Sequence, residues 1–312
     1  YKRTLNTQSF YLRCSAPWKM DFDKNWITST LTSGTGEYLR LTLRANTNTS
    51  REPRPAEVTI VADVNDDGVY GNEGDETRTM NLWQEGFVFN VSSLDASATN
   101  IPAITDMSFT IQVESTSEAS WSVECDDWLM PDVKSGTGSG SVTFVPRDNG
   151  AGARPGTALI KSDVATQLAE SRSFSQAAYE FNTDPYEQSE PFHEISAKNA
   201  DRAEKVAVKC TNGGEWWIES IPSWLSVTMD GKAINSKTKY KGTGSNQYLS
   251  FTTRADNTST TDFKNATVHV ISQVGGFSEY DKSISLSQSL YTFVVKGMTD
   301  LSLDALEEDA VS

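Results

Sequence analysis

Residues 121–145 read WSVECDDWLMPDVKSGTGSGSVTFV, and the pattern they contain recurs along the chain. Two tryptophans, Trp121 and Trp128, are followed by a Ser-Gly-Thr-Gly turn and then by a segment in which apolar and polar residues alternate. The same motifs occur in the same order from Trp18 and again from Trp216, with the paired tryptophans 8, 7 and 8 residues apart in the three copies. Motifs that return in a fixed order and spacing indicate tandem structural repeats.

Each copy also ends in the same way. A short strand of the type Ala-x-Val/Leu-x-Ile/Val leads to a terminal strand whose last residue is Gln84, Gln176 or Gln288, and an aromatic-x-Phe motif follows each glutamine. We therefore divide the chain into a first repeat (1–86), a second repeat (87–178), a third repeat (179–290) and a tail (291–312) that would begin a further unit. The tail predicts that other domains of a longer chain accompany these three.

The fold class that this pattern predicts is all-β, with tandem immunoglobulin-like β-sandwich domains. Short alternating segments, separated by turn residues every ~8–12 positions, are typical of sandwiches. We expect the second tryptophan of each pair, Trp26, Trp128 and Trp224, to be buried in the core. We also expect short junctions with little shared core between successive sandwiches, and no helix longer than about four turns before Tyr291.

Composition excludes several classes of partner. The 312 residues carry a net charge of −15, so a nucleic-acid backbone would be repelled by the average surface. No segment reaches the ~18–20 apolar residues needed to span a bilayer, which predicts no direct membrane insertion. No signal segment is present at Tyr1, which is typical of a processed or excised chain. Cys14 and Cys210 end alternating strands on the apolar face and are predicted to be small core residues.

The ordered combination of paired Trp, Gly-Thr-Gly, Arg-Ala-Asn-Thr or Arg-Ala-Asp-Asn-Thr, and a closing Gln resembles the BACON domain (Bacteroidetes-associated carbohydrate-binding, often N-terminal) in three copies. The second repeat departs from it by lacking the Asn-Thr-Ser run after its strand. The resemblance implies immunoglobulin-like sandwiches in exported or surface proteins of gut-type Gram-negative bacteria and their phages. It implies carbohydrate or mucin binding, and it brings no catalytic residues.

The sequence predicts no enzymatic activity. His193 lies in a linker-like segment and His269 in a strand, and neither stands in a recognisable context for activating a Ser or Cys nucleophile. The Gly-Thr-Gly turns lead into strands, whereas a phosphate-binding loop leads into a helix N-terminus. The expected localisation is extracytoplasmic, on a cell surface, outer membrane or virion.

Trp217 is the candidate carbohydrate-binding residue, with Tyr240 and Tyr248 as helpers. The other repeats carry Lys19 and Ser122 at its position, on the face opposite the core. An exposed indole can stack on a sugar ring. The alternative is a tryptophan covered by a neighbouring loop or by the ten-residue insertion of the third repeat.

A calcium site is predicted in the first repeat, with Asp63, Asn65, Asp67 and Asp75 as ligands. The segment Asp63-Val-Asn-Asp-Asp-Gly68 matches D-x-[DN]-x-[DN]-G, in which alternate oxygen side chains converge on Ca²⁺. Its position between two strands predicts a structural calcium-binding hairpin. The alternative is a solvated acidic hairpin without metal.

Two functions are compatible with these features. The first is a glycan- or mucin-binding array at a cell surface. The second is a spacer or stalk that holds another domain away from a bacterial surface, or a segment of a phage fibre or adhesin. Three sandwiches end to end would span on the order of 100 Å.

Overall fold

The computed structural model describes residues 7–183, 193–198, 203–275 and 279–293. Within these ranges the chain is almost entirely β-structure, and its one helical segment is a single 3₁₀ turn, Ala96–Thr99. The all-β, immunoglobulin-like fold class is therefore confirmed. The chain forms two compact units, one made of the described parts of 1–101, 105–147 and 155–176, the other of the described parts of 102–104, 148–154 and 177–312.

The first repeat is built on two long, bent strands. The first half of β1 pairs antiparallel with the second half of β3, and the second half of β1 pairs with β4. Register shifts between Leu12 and Trp18 interrupt the pairing of β1 with β3, as bulges do, and β4 pairs with β1 from Trp18 onward. The strands are β1 (Thr7–Phe22), β2 (Ile27–Ser29), β3 (Ser33–Ala45), β4 (Arg54–Ala62) and β5 (Glu76–Gln84), in the sheet order β2-β3-β1-β4-β5.

The second repeat has the same elements divided between two separate sheets. The strands that correspond to the halves of β1 and β3 are interrupted here by turns, so one sheet has the order β10-β7-β6 and the other β12-β11-β8-β9. The strands are β6 (Phe89–Val91), β7 (Phe109–Ser115), β8 (Ser120–Cys125), β9 (Ser135–Thr137), β10 (Gly140–Phe144), β11 (Arg154–Ser162) and β12 (Ala169–Gln176).

The third repeat is the largest, with two five-stranded sheets of order β13-β15-β20-β17-β18 and β14-β22-β21-β16-β19. The extra hairpin strand β18 lies in the ten-residue insertion. The strands are β13 (Phe181–Thr183), β14 (His193–Ile195), β15 (Glu204–Cys210), β16 (Glu215–Ile218), β17 (Leu225–Met229), β18 (Lys232–Ala233), β19 (Tyr240–Lys241), β20 (Asn246–Thr253), β21 (Lys264–Gln273) and β22 (Tyr280–Gln288).

The first tryptophan of each pair occupies the core, and the prediction for the second was wrong. Trp18, Trp121 and Trp216 are fully buried, each in its own hydrophobic cluster. Their strands alternate, which places these indoles on the inner face. Trp26, Trp128 and Trp224 follow the strand and are half-buried at the edge of the same clusters. The guanidinium of Arg54, for example, covers the Trp26 ring at 4.3 Å.

The two cysteines predicted on apolar faces lie there. Cys210 is fully buried, and Cys14 is half-buried against the core of the first repeat. Burial raises the pKa of the Cys210 thiol, while its contact with the Tyr179 hydroxyl at 3.2 Å lowers it by a smaller amount. A thiol kept neutral in this way behaves as a small apolar side chain.

A buried asparagine organises the loop after the third major strand in every repeat. The side-chain nitrogen of Asn48 donates to the carbonyl oxygens of Glu52 and Glu85, at 2.9 and 3.0 Å, while its Oδ1 accepts the backbone N–H of Ser50. Asn149 and Asn257 make the corresponding three bonds in their loops. We call these three residues the loop asparagines. The second repeat lacks the Asn-Thr-Ser run, as its sequence Asn149-Gly-Ala shows, but its asparagine makes the same three bonds.

Each loop asparagine fixes the start of the segment that follows its repeat. The backbone N–H of Phe87 donates to the carbonyl oxygen of Ser50 at 2.7 Å, and Tyr179 and Tyr291 make the equivalent bonds with Ala151 and Ser259. The closing glutamine adds to this arrangement, because the Gln288 side chain donates to the carbonyl oxygens of Ala197 and Ala255. The function of the recurring glutamine in the sequence is therefore to hold the loops at the end of each sandwich.

Candidate functional site

The outer face of the first repeat carries a pair of exposed tyrosines that the sequence analysis did not select. Tyr11 on β1 and Tyr38 on β3 are 67% and 73% exposed, and their ring centroids lie 5.9 Å apart with a tilt of 43°. The position directly opposite Tyr11 in the antiparallel register is Arg40, which is also exposed. Arg13, two residues beyond Tyr11 on the same strand, is exposed as well. We call these four residues the tyrosine–arginine face.

This face combines two kinds of recognition. Exposed aromatic rings offer flat apolar area with little conformational entropy to lose, and guanidinium groups bind carboxylates and sulfates with paired hydrogen bonds. The sequence contained a signal for it: Tyr11 lies between Phe10 and Leu12, both of which point inward. Strand alternation therefore places the Tyr11 ring on the outer face. Its contact with Tyr38 depends on the register of β1 against β3, which only the structure shows.

Trp217, the sequence-based candidate, lies on the outer face of its sheet in the third repeat. It is half-buried, opposite the buried Ile271 on β21. Its indole N–H donates to Oε2 of Glu219 at 3.1 Å, and the ammonium of Lys239 lies 5.7 Å from the ring centroid. The Lys237 ammonium and this indole N–H hold the pKa of Glu219 below its usual range. The ring is thus flanked by charged groups.

Tyr240 and Tyr248 do not join Trp217 on one surface. Tyr240 is directly opposite Trp216 and packs on that buried indole at 5.2 Å, on the inner side of the sheet. Tyr248 belongs to β20, in the other sheet of the sandwich. The three aromatic residues predicted to bind carbohydrate are therefore divided between separate faces.

The four predicted calcium ligands lie together in the hairpin loop between β4 and β5. Asp63 is buried, and its two oxygens accept the backbone N–H groups of Asp67 and Gly68 at 3.2 and 2.9 Å. Asp75 accepts from the backbone of Val64 and of Gly71, at 3.1 and 2.7 Å. The loop is thus closed by bonds between carboxylates and the chain itself.

Asp67 is at the centre of this loop. Its Oδ1 accepts the N–H of Val69 at 2.8 Å, and its Oδ2 accepts from the side-chain amides of Asn65 and Asn72. The Val69 N–H and the Asn72 amide hold the pKa of Asp67 below its usual range. Within the described ranges, no three His, Cys, Asp or Glu side chains are grouped so that they could hold a metal ion. The carboxylates' charge is instead dispersed over N–H donors.

His269 has a structural partner on the neighbouring strand. Its Nδ1 lies 3.0 Å from both carboxylate oxygens of Asp281, on the exposed face of the β21–β22 pair. The side chain of His193, the other histidine, lies outside the described residues. A half-exposed His–Asp pair on neighbouring strands provides a cross-strand contact.

Together, the strand topology and the three cores define a tandem array of immunoglobulin-like β-sandwiches. No family model matches the chain, and no curated protein matches it. Among solved structures it is similar to surface layer protein SbsC, domains 4–9, with 11% identity, a TM-score of 0.29 and coverage of 89% of this chain and 40% of that one. It is also similar to the Yersinia pseudotuberculosis adhesin InvE, with 10% identity, a TM-score of 0.28 and coverage of 63% of this chain and 60% of that one. A third similar structure is mouse cadherin-23 EC22–24, with 11% identity, a TM-score of 0.26 and coverage of 88% of this chain and 85% of that one.

The chain thus spans less than two thirds of the length of the first two of these structures. TM-scores at this level assign no family and no function. The resemblance to BACON domains stays a prediction, as do the domain boundaries at residues 86, 178 and 290.

Proposed function

We propose that the chain is a non-catalytic surface array outside the cytoplasm, and that its tyrosine–arginine face binds glycans bearing carboxylate or sulfate groups, such as those of mucins. The observation that carries this proposal is the exposed Tyr11–Tyr38 pair beside Arg13 and Arg40. Large aromatic rings exposed side by side on a sheet face favour a binding surface. In the described part of the chain, no helix is long and apolar enough to cross a bilayer.

We expect the double variant Tyr11→Ala/Tyr38→Ala to bind sialylated or sulfated mucin glycans roughly tenfold or more weakly than the parent chain. Each ring contributes on the order of 0.5–1.5 kcal/mol when it stacks, and about 1.4 kcal/mol corresponds to a factor of ten. Retardation in a mucin affinity gel, followed by titration with the retained glycan, measures the difference. Both residues point to solvent, so stability should change by less than about 0.5 kcal/mol each.

Two control variants locate the site. Trp217→Ala tests the alternative surface in the third repeat, and Arg40→Gln tests the charge component. If Trp217→Ala rather than the double tyrosine variant abolishes retardation, the glycan site is the Trp217 surface. If the parent chain is not retarded by any glycan, neutral or anionic, glycan binding is refuted.

The loop asparagines favour the second candidate function, a stalk that holds another domain off a surface. Asn48 bonds within its own loop and to the residue after Gln84, and the N–H of Phe87 is held by the same loop. A junction of this kind contains few freely rotating residues. Small-angle scattering of the chain should then show an extended particle whose maximum dimension approaches ~100 Å. A compact particle would argue against the stalk.

We further propose that the Asp63–Asp75 loop binds calcium as a structural ion, with Asp63, Asn65, Asp67 and Asp75 supplying oxygens. All four residues belong to one hairpin loop, which supports this proposal. Because their carboxylates bond to the loop's own N–H groups and are not grouped around one point, binding would require the loop to rearrange. We expect Ca²⁺ at about 100 times its dissociation constant to stabilise the first repeat by roughly 2.7 kcal/mol relative to EDTA. Thermal melts measure the shift. Asp67→Asn should abolish it, and an unchanged melting temperature in the parent chain would reject the site.

A further inference from the structure

The outer face of β3 carries positive charge beyond the tyrosine–arginine face. Leu41 and Leu43 are buried in the core of the first repeat, so Arg40 and Arg44, which alternate with them along the strand, point outward. Both arginines are exposed, as is Arg13 on the neighbouring strand β1. We call Arg13, Arg40 and Arg44 the arginine row.

None of the three guanidinium groups in the arginine row forms an ion pair with another described residue. Elsewhere Arg51, Arg78 and Arg172 lie 3.8, 3.1 and 3.4 Å from a glutamate oxygen. Acidic partners are abundant, because the chain has 42 acidic residues and 27 basic ones. The row therefore presents charge that an anionic ligand can meet with paired hydrogen bonds.

The arginine row is long and follows one strand. Arg40 and Arg44 are four residues apart, which places their Cα atoms about 13 Å from each other in an extended strand. Tyr11 is directly opposite Arg40, and Arg13 continues the row on the side away from Arg44. From Arg13 to Arg44 the row thus extends for roughly 20 Å along β3.

Short hydroxyl side chains lie between Arg40 and Arg44. Ser9 and Thr42 are directly opposite each other, and their side-chain oxygens are 2.9 Å apart. Both residues are half-buried, whereas the two arginines are exposed. The surface between the arginines is therefore lower and polar, and its hydroxyl groups can exchange hydrogen bonds with those of a sugar.

We propose that the arginine row binds a linear acidic polysaccharide, in which carboxylate or sulfate groups recur along the chain, and that this ligand lies lengthwise on β3. The proposal rests on the glycan binding proposed above for the tyrosine–arginine face and names the class of glycan. A single acidic group contacts both Arg40 and Arg44 only when both side chains bend inward over Thr42, which costs rotamer freedom. A ligand with repeated charges meets each guanidinium in place.

The spacing of the row and the charge of the chain favour a polysaccharide over a nucleic acid. Each strand of a duplex carries a charge about every 3.4 Å, so several phosphates would lie over Ser9 and Thr42 without an arginine. The remaining surface adds repulsion, because the net charge of the chain is −15. In a polysaccharide, uncharged sugars separate the acidic groups and present apolar ring faces to Tyr11 and Tyr38.

Size-fractionated chondroitin sulfate tests the length of the site. We expect the parent chain to bind a decasaccharide roughly tenfold or more tightly than a disaccharide or 3′-sialyllactose. The reason is that a charge-assisted hydrogen bond to one further arginine contributes a factor of about ten. Isothermal titration calorimetry at several salt concentrations measures the three affinities.

Arg44→Gln is the decisive variant, because Arg44 lies outside the tyrosine–arginine face. It should weaken decasaccharide binding roughly tenfold, and the slope of log K against log salt should fall by about one. The advantage of the decasaccharide over 3′-sialyllactose should shrink accordingly. Arg78→Gln makes the same change of charge at an exposed position on β5, and this control should bind the decasaccharide like the parent.

Four outcomes overturn the proposal. If the decasaccharide and 3′-sialyllactose bind equally well and Arg44→Gln weakens neither, the polysaccharide proposal fails while glycan binding by the tyrosine–arginine face stands. An equal loss of affinity in Arg78→Gln would mean that net charge, and not the row, is recognised. Single-stranded DNA of equal charge that binds as tightly as the decasaccharide would identify a different class of ligand. If the parent chain binds neither these probes nor any mucin glycan, both proposals fail.

Discussion

Trp121→Ala is expected to destabilise the second sandwich by about 3–5 kcal/mol, which is a large part of the 5–15 kcal/mol that stabilises a typical domain. The indole is fully enclosed, and its N–H donates to the carbonyl oxygen of Gly138 at 2.8 Å. A Cβ on Gly136 would lie 2.1 Å from the ring, so this glycine is what allows strand β9 to cover it. Truncation therefore leaves a cavity and an unpaired carbonyl in the core.

Trp128→Ala is the matched control, since it removes the same side chain from the same sandwich. Trp128 is half-buried at the rim of the core, so its loss should cost clearly less than that of Trp121. Urea denaturation, with hydrogen exchange of the β10 and β11 amides as the local readout, compares the two. An equal or greater loss for Trp128→Ala would contradict the assignment of the first tryptophan to the core.

Asn257→Ala is expected to cost about 2–4 kcal/mol in the third repeat, although the residue lies in a loop. The substitution removes three hydrogen bonds and leaves the carbonyl oxygens of Asp262 and Ser289 and the N–H of Ser259 without their partner. Buried polar groups that lose a partner each cost about 1–3 kcal/mol unless water reaches them. Thermal and chemical melts of the chain measure the loss.

Two further variants make this result specific. Asn246→Ala replaces an exposed asparagine of the same repeat and should change stability by less than about 0.5 kcal/mol. Asn257→Asp keeps the acceptor for Ser259 but places a carboxylate oxygen against the two carbonyl oxygens, so at neutral pH it should destabilise at least as much as alanine. If Asn257→Asp leaves the stability unchanged, the two hydrogen bonds that the side-chain amide donates contribute nothing.

The sequence was sufficient for the fold class because the three copies share spacing as well as residue types. It was misleading about the tryptophans, although the alternation Trp121-Ser-Val123 already placed Trp121 on the same face as a core valine. Trp128 also has an apolar neighbour, Leu129, although it lies after the end of the strand and not within it. Alternation is informative inside a strand and loses its meaning one turn later.

The loop asparagines and the edge strands could not be predicted in the same way. Asn149 lies in a polar loop, where asparagine is common, and its function depends on carbonyl oxygens as distant as that of Ala177. The edge strand of the second repeat is a single bridge at Ile101, too short to show any periodicity. Likewise, the Tyr11–Tyr38 contact depends on the register of β1 against β3, which a repeat alignment does not contain.

The parallel pairing of β14 with β22 has a consequence for a protein under tension. The two strands lie near the beginning and the end of the third sandwich, and they run side by side in the same direction. A force that pulls the ends of this sandwich apart therefore slides one strand along the other. Their hydrogen bonds lie across the direction of the pull, so they must yield together and cannot open one at a time. This parallel pair therefore gives the third sandwich a contact that resists extension by shear.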